Sequence, residues 1–399
     1  MRLVVANWHR DVIGGAERYL QGIIPELLTR GHDVAVVHRS AAPPAQPTID
    51  PPDARLRAWC VEQLGVADVL RGIADWKPDL VYSHGSLWPD LEERLARLYP
   101  SVNFAHGYDG TCATGTKCHL APTPRPCTRT LGPMCLVLHY PRRCGGLNPV
   151  TMWNGYRVQS RRRASLGLYH AVLVASRHME GEFRRHGVAP ERLHVVPLPV
   201  TGVAPDREAP AGRAYSRTVL MVGRLTRLKG ADHLMHAVPA AARALGWPLT
   251  IRIAGVGPDR AELEQLSQRT GVRVEFHDWV DVNERTAFMR LADLLAVPSV
   301  WPEPFGLVGI EAGCVGLPAV AYEVGGITEW LVPGRSGEVA PGDPPTVAGL
   351  ADAIVRALQD PARHASLRRG AWEVASQFTM AAHMSRLEPI LFSVASHRP

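Results

Sequence analysis

Short apolar runs that each lead into a helical pattern, repeated along the whole chain, constrain the fold more than any other feature of this sequence. Residues 3–6 form the first such run. A loop ending in Gly14-Gly15 follows, and then Ala16, Tyr19, Leu20, Ile23, Ile24 and Leu27 recur at helical spacing until Gly31 offers a helix stop. Residues 33–37 read as the next strand. Two strands joined through a helix run parallel, so the opening predicts a parallel sheet covered by helices. The alternation continues through runs at 80–83, 102–105, 171–175 (with Ser176 placed to cap the next helix) and 193–196. It resumes with 218–222, 249–254, 272–276, 291–297 and 318–322. Between the two series lies TGVAPDREAPAGRAYS, residues 201–216, rich in Pro, Gly and Ala and without periodicity, which reads as a linker. The expected organisation is therefore a first domain over 1–200, a second over 217–380, and a C-terminal helix over 381–399. With 399 residues and 46% hydrophobic content, the chain can bury two cores.

Ligands of open parallel sheets gather at the carboxyl ends of the strands, and the residues with useful chemistry fall there. Gly14 and Gly15 let the backbone approach a ligand at the positive end of a helix, although they do not form a G-x-G-x-x-G fingerprint. His84-Gly85 and His106-Gly107 each end a strand. Arg224 and Lys229, five apart on a strand-to-helix loop, can grip a diphosphate from two sides and neutralise charge on a departing group. The competing reading of both is ordinary surface cations.

In VPSVWPEPFGLVGIEAGCVGLP, residues 297–318, a strand runs into a loop punctuated by Pro298, Pro302, Pro304 and Gly306. A helix is expected to open at Pro304-Phe305-Gly306, with the free N–H groups from Phe305 to Leu307 turned toward a ligand. Glu303 stands just before that turn and Glu311 about two turns inside. Eight residues at about 1.5 Å each separate the carboxylates by about 10 Å. Such spacing suits a ligand with hydroxyls at both ends and negative charge between, as in a sugar nucleotide. Singly, each acid reads as an exposed loop or helix residue.

These features together resemble glycosyltransferase family 4. Glu303 and Glu311 match its E-x7-E signature, residues 223–230 its G-R-x4-K-G element, and His106-Gly107 its His-Gly, with His84 in reserve. The resemblance implies an α/β protein of GT-B fold, with two Rossmann-like doubly wound parallel-sheet domains facing a central cleft. It implies that Glu311 holds the ribose hydroxyls of the donor and Glu303 those of the transferred sugar. Backbone N–H groups near Phe305, Gly306 and Leu307 assist, Arg224 and Lys229 hold the diphosphate, Gly15 lies beside the donor phosphates, and Trp279-Val280 pack on the base. His106, Glu303, Arg224 and Lys229 are the implied catalytic set, and the C-terminal helix crosses back onto the first domain. The implied reaction is retaining transfer from a UDP- or GDP-linked sugar to a hydroxyl acceptor, in glycan, glycolipid or secondary-metabolite synthesis. Neither a metal nor a cofactor beyond the sugar nucleotide is called for. Two other readings stand beside it: epimerisation or hydrolysis of the sugar nucleotide, and sugar-nucleotide binding without catalysis.

Charge and cysteine complete the reading. Residues 1–199 carry 24 Lys+Arg against 17 Asp+Glu, whereas 200–399 carry 20 against 21. The excess includes Arg142-Arg143, Arg161-Arg162-Arg163 and Arg184-Arg185, which suit a solvated face, an anionic acceptor or peripheral contact with the inner face of an anionic membrane. Nucleic acid is not expected, because few aromatic residues interleave with the arginines. No apolar run is long enough to cross a membrane and the N-terminus enters a strand directly, so a cytoplasmic location is expected. Five of the seven cysteines lie between Cys112 and Cys144, in an insertion spanning about 110–150 with His119 and His139 among them. A structural zinc there and unlinked thiols are both open readings, since the spacing lacks a C-x2-C knuckle.

Overall fold

The structure is a computed structural model that describes residues 1–40, 47–51, 56–85, 88–208, 210 and 213–396. Of the expected linker, residues 209, 211 and 212 lie outside the described residues, as do residues 397–399 of the expected C-terminal helix. Seven strands make the first sheet: β1 Arg2–Asn7, β2 Asp33–His38, β3 Arg57–Cys60, β4 Leu80–Ser83, β5 Ser101–Ala105, β6 Ala171–Val174 and β7 Leu193–Val195. Six make the second: β8 Thr218–Val222, β9 Thr250–Ala254, β10 Val274–His277, β11 Leu294–Val297, β12 Ala319–Tyr322 and β13 Gly337–Ala340. All their pairings are parallel.

The order is β3-β2-β1-β4-β5-β6-β7 in the first sheet and β10-β9-β8-β11-β12-β13 in the second. Each sheet therefore reverses direction once, between β1 and β4 and between β8 and β11, and a crevice opens at each reversal. Alternation along β1 sends its side chains to two cores. Leu3 and Val5 pack with Tyr19, Leu20, Ile23 and Ile24 of the Gly15–Thr29 helix, while Val4 and Ala6 pack with Val69, Ile73 and Leu91 on the opposite face. Each such fully buried aliphatic side chain contributes about 1.5–3 kcal/mol, which is why the helical stripe read from residues 16–27 folds as it does.

The Met380–Ala395 helix lies on the first lobe. His383 reaches the carbonyl of Pro197 (2.7 Å), and Glu388 pairs with Arg30 (2.8 Å) and His32 (3.1 Å). The insertion after β5 has little regular structure beyond a two-residue hairpin and the Met134–Leu138 and Pro149–Ser165 helices. It is docked by Lys117, whose ammonium meets Glu182 of the Arg177–Arg185 helix at 2.5 Å with both side chains buried.

Candidate active site

The second sheet's crevice holds the loop that follows β11. The helix after it differs from expectation: it spans Leu307–Cys314, and Pro304 and Phe305 stand outside it. Gly306 is its N-terminal boundary and adopts φ +87°, a left-handed conformation that a side chain resists. Glu311 is thus the fifth helical residue, and the expected helical path from Glu303 to Glu311 is broken. Phe305 also turns inward: it packs against Phe378 with ring centroids 5.7 Å apart, and its carbonyl accepts from Trp330 Nε1 at 2.7 Å. Its side chain belongs to the core, and only its backbone is near the crevice.

Glu303 is nearly buried, and a single oxygen carries its contacts. Oε1 accepts from Lys229 Nζ (2.5 Å), Ser299 Oγ (2.6 Å) and Trp301 Nε1 (3.0 Å). Among the described residues Oε2 has no partner, so one side of the carboxylate is fixed and the other can accept. Lys229 reaches it because Gly230, at φ +67°, sits against the β11 loop so closely that a Cβ would lie 2.0 Å from the Pro298 carbonyl oxygen. Gly325 packs behind the same loop, where a Cβ would come within 2.2 Å of the Glu303 carbonyl oxygen.

Glu311 is buried too, and its Oε1 accepts from Arg285 Nη2 at 3.0 Å. Burial raises its pKa, while the charges of Arg285 and Arg18 pull it back down. Sequence reading missed both arginines. Arg285 belongs to the Val282–Leu291 helix, begun by the Asp281 carboxylate accepting from Glu284 N at 2.9 Å; the strand expected at 291–297 starts only at Leu294. Arg18 comes from the first lobe, and its pKa is lowered by burial and by Arg285 and raised by Glu311. Glu311 is thus a point where the two lobes face each other.

Arg224 is exposed, and no ion pair or hydrogen bond engages its side chain among the described residues. The two cations expected to share one diphosphate therefore differ: Lys229 is tied to Glu303 and Arg224 stands open. Val280 is buried, while Trp279 is 66% exposed at the same strand end.

In the first lobe, Gly14 and Gly15 begin the Gly15–Thr29 helix. Glu17, also missed, holds this loop, accepting from Gly14 N (2.9 Å) and Asn7 Nδ2 (3.0 Å). A Cβ on Gly15 would meet no protein atom within 4 Å, so the space beside it is open.

His84 and His106 are brought together, Nδ1 to Nε2, at 2.9 Å. The other nitrogen of His84, Nε2, is buried with no hydrogen-bond partner. A bare acceptor costs less than a bare N–H, so His84 donates through Nδ1 and His106 accepts, leaving Nδ1–H of His106 to offer a ligand. Burial lowers His106 to about 3 and His383 to about 4, and lowers His84 well below its ordinary value. His106 is a neutral hydrogen-bonding group at any pH near 7. His383, which carries no sequence signature, donates to Pro197 O and so accepts from Tyr19 Oη (2.9 Å), which in turn accepts from Tyr82 Oη (2.8 Å).

The lobes meet at the Glu303 loop. Tyr108 Oη donates to Pro302 O (2.6 Å) and accepts from His178 Nε2 (3.0 Å), while Ser176, the cap of the Arg177–Arg185 helix, donates to Pro304 O (2.7 Å). From the insertion, Cys118 Sγ donates to Val300 O (3.4 Å).

The insertion's cysteines are all free, and among the described residues no group of three or more Cys, His, Asp or Glu is placed to hold a metal. Burial pushes the thiols of Cys118 and Cys144 up to about 12. The zinc reading does not fit this donor set. The buried Lys117–Glu182 pair and the contacts to the Glu303 loop hold the insertion instead.

Comparison with known proteins agrees with this architecture. The family described as Glycosyltransferase Family 4 matches residues 13–201, and Glycosyl transferases group 1 matches residues 206–373. Glycogen synthase of Mycobacterium tuberculosis is 27% identical over 398 residues, covering 91% of this chain and 87% of the relative. D-inositol 3-phosphate glycosyltransferase 1 of Catenulispora acidiphila is 33% identical over 238 residues, covering 54% of this chain and 55% of the relative. Anabaena HepE in complex with UDP-glucose superposes with a TM-score of 0.69 at 20% identity, covering 98% of this chain and all of that one, a likeness of fold. One family match falls on each doubly wound sheet and the two meet at the junction between them: the chain belongs to glycosyltransferase family 4 and is a glycosyltransferase of GT-B fold.

Proposed function

We propose that this enzyme transfers a hexose from a UDP-linked donor to a hydroxyl acceptor with retention of anomeric configuration. The observation that carries the reading is Glu303: one oxygen saturated by Lys229, Ser299 and Trp301, the other open, at the reversal point of the second sheet. A carboxylate so fixed is preorganised to accept from sugar hydroxyls. Glu311 takes the ribose hydroxyls with its remaining oxygen, and Arg224 and Lys229 take the diphosphate. The Gly15 loop leaves room for phosphates, and His106 Nδ1–H donates to the sugar or the acceptor. The acceptor oxygen bonds to the anomeric carbon as the carbon–phosphate oxygen bond breaks on the same face. The acceptor's proton passes to the departing phosphate oxygen, and the cations stabilise the negative charge that grows there. A UDP donor is favoured over GDP because HepE is described with UDP and UDP-glucose. The acceptor is a glycan, a lipid-linked saccharide or a small polyol, and the basic first lobe makes peripheral contact with an anionic membrane on the cytoplasmic side.

Incubation of the purified enzyme with radiolabelled UDP- and GDP-hexoses, with and without candidate acceptors, tests this. The expected result is nucleoside diphosphate release coupled to a labelled glycoside. Isomerised donor, or binding with no turnover on any acceptor, would replace transfer by epimerisation or by binding alone.

A further inference from the structure

The insertion carries a second surface, remote from the donor crevice in composition and chemistry. Of the fifteen large apolar side chains exposed among the described residues, seven fall between positions 134 and 158. Val137 lies in the last turn of the Met134–Leu138 helix, Leu147 sits in the segment after it at 80% exposure, and Val150 and Trp153 lie on the first turns of the Pro149–Ser165 helix. That helix starts where it does because Asn148 Oδ1 accepts from Val150 N at 2.9 Å. Positions 150, 153 and 157 then share one side of it, so Val150, Trp153 and Arg157 form a row. Tyr156 stacks on Trp153 with centroids 6.1 Å apart and stiffens the row.

Along the chain, the charge of this segment has one sign. No aspartate or glutamate occurs between Asp109 and Glu180, while ten Lys+Arg do. Arg161 and Arg162 are neutralised by Asp90, Glu93, Glu92 and Asp109. Arg129, Arg142, Arg143 and Arg157 have no carboxylate partner among the described residues. Exposed aliphatic and tryptophan side chains in a segment that also carries unpaired arginines match a bilayer interface, which takes apolar groups just below anionic headgroups. A protein partner would need an acidic rim, and a soluble phosphate would have no use for the apolar row.

We propose that this face of the insertion, with Val137, Leu147, Val150 and Trp153 entering and Arg129, Arg142, Arg143 and Arg157 on the headgroups, docks the enzyme on an anionic bilayer. The proposal deepens the membrane part of the functional reading and rests on it, but not on the donor assignment. Cys118 of the same insertion touches Val300, three residues before Glu303, so the insertion adjoins the loop that carries Glu303.

Sedimentation of the full-length enzyme with phosphatidylglycerol–phosphatidylcholine vesicles tests it. Wild type should pellet with mixed vesicles at low salt, stay free with pure phosphatidylcholine, and be released as salt rises. The triple variant Val137→Ser, Leu147→Ser, Trp153→Ser should bind about tenfold or more weakly, since apolar contact adds to the electrostatic attraction. Its melting temperature and UDP affinity should match wild type, because all three side chains are exposed and lie outside the donor crevice. Arg129→Gln with Arg157→Gln should lower the salt sensitivity. Wild type remaining in the supernatant at low salt would overturn the proposal, as would a triple variant that binds like wild type. A wild-type dimer that the triple variant dissociates, without vesicle binding, would assign the face to self-association instead. UDP binding measured in parallel reports separately on the donor reading.

Discussion

Glu303 and Glu311 share a design at the residue scale: each is buried, each has one oxygen tied to a cation, and the other oxygen of each makes no hydrogen bond among the described residues. Removing Glu311 should act on donor binding. A hydrogen bond to a charged acceptor contributes about 1.5–3 kcal/mol, so Glu311→Ala should weaken UDP binding by about 10- to 100-fold in calorimetry. Unchanged affinity would remove Glu311 from the site. The pH dependence follows from the raised pKa of Glu311. The carboxylate must be ionised to accept, so UDP affinity should be flat near neutral pH and fall, on acidification, before an ordinary carboxylate would protonate. Arg285 opposes that shift, so Arg285→Met should move the loss to higher pH. It should also destabilise the fold by about 3–5 kcal/mol, because it leaves a buried charge without its partner. A pH profile of affinity identical in wild type and Arg285→Met would contradict this.

At the scale of elements, the Glu303 loop is held from both lobes. Tyr108→Phe removes the hydroxyl that links His178 to the Pro302 carbonyl, leaving a buried acceptor unpaired at a cost of about 1–3 kcal/mol. Because Glu311 and Val280 lie outside these contacts, UDP affinity should change little while the transfer rate falls; an equal loss in both would show a general loosening. Legibility also divides by element. Most strands and their parallel pairing could be read because period and punctuation are local, and the Gly223–Gly230 loop because its Arg and Lys are close in sequence; the edge strands β3 and β13 and the order of the strands were not legible. Arg285, Arg18 and His383 could not be read either, because nothing in a helical stretch of sequence tells which side chain will meet a carboxylate or tyrosine from another element. The helix after Glu303 was expected too early because Pro304 suits a first helical turn, yet Gly306 takes the left-handed conformation that fixes the start at Leu307.

The whole molecule carries a cluster of neutral imidazoles where the C-terminal helix closes on the first sheet. His383 is lowered to about 4 in the folded chain against about 6.5 unfolded, so below about pH 6.5 the unfolded chain takes up a proton that the folded one refuses. Stability should hold above that pH and fall as pH drops toward 4, by up to about 1.4 kcal/mol per unit for this group. Thermal melts from pH 7.5 to 5 should show that slope, reduced in His383→Gln; an equal slope in both would mean other groups carry it.

The crevice between the sheets is expected to grip a nucleoside diphosphate while its sugar leaves. Arg224 gives the cleanest test, because it is exposed and unpaired among the described residues, so its loss should cost the fold nothing. In Arg224→Ala, the single-turnover rate of hexose transfer from saturating UDP-hexose should drop by about 100-fold or more, with an unchanged melting temperature. A variant that transfers at the wild-type rate would contradict the account.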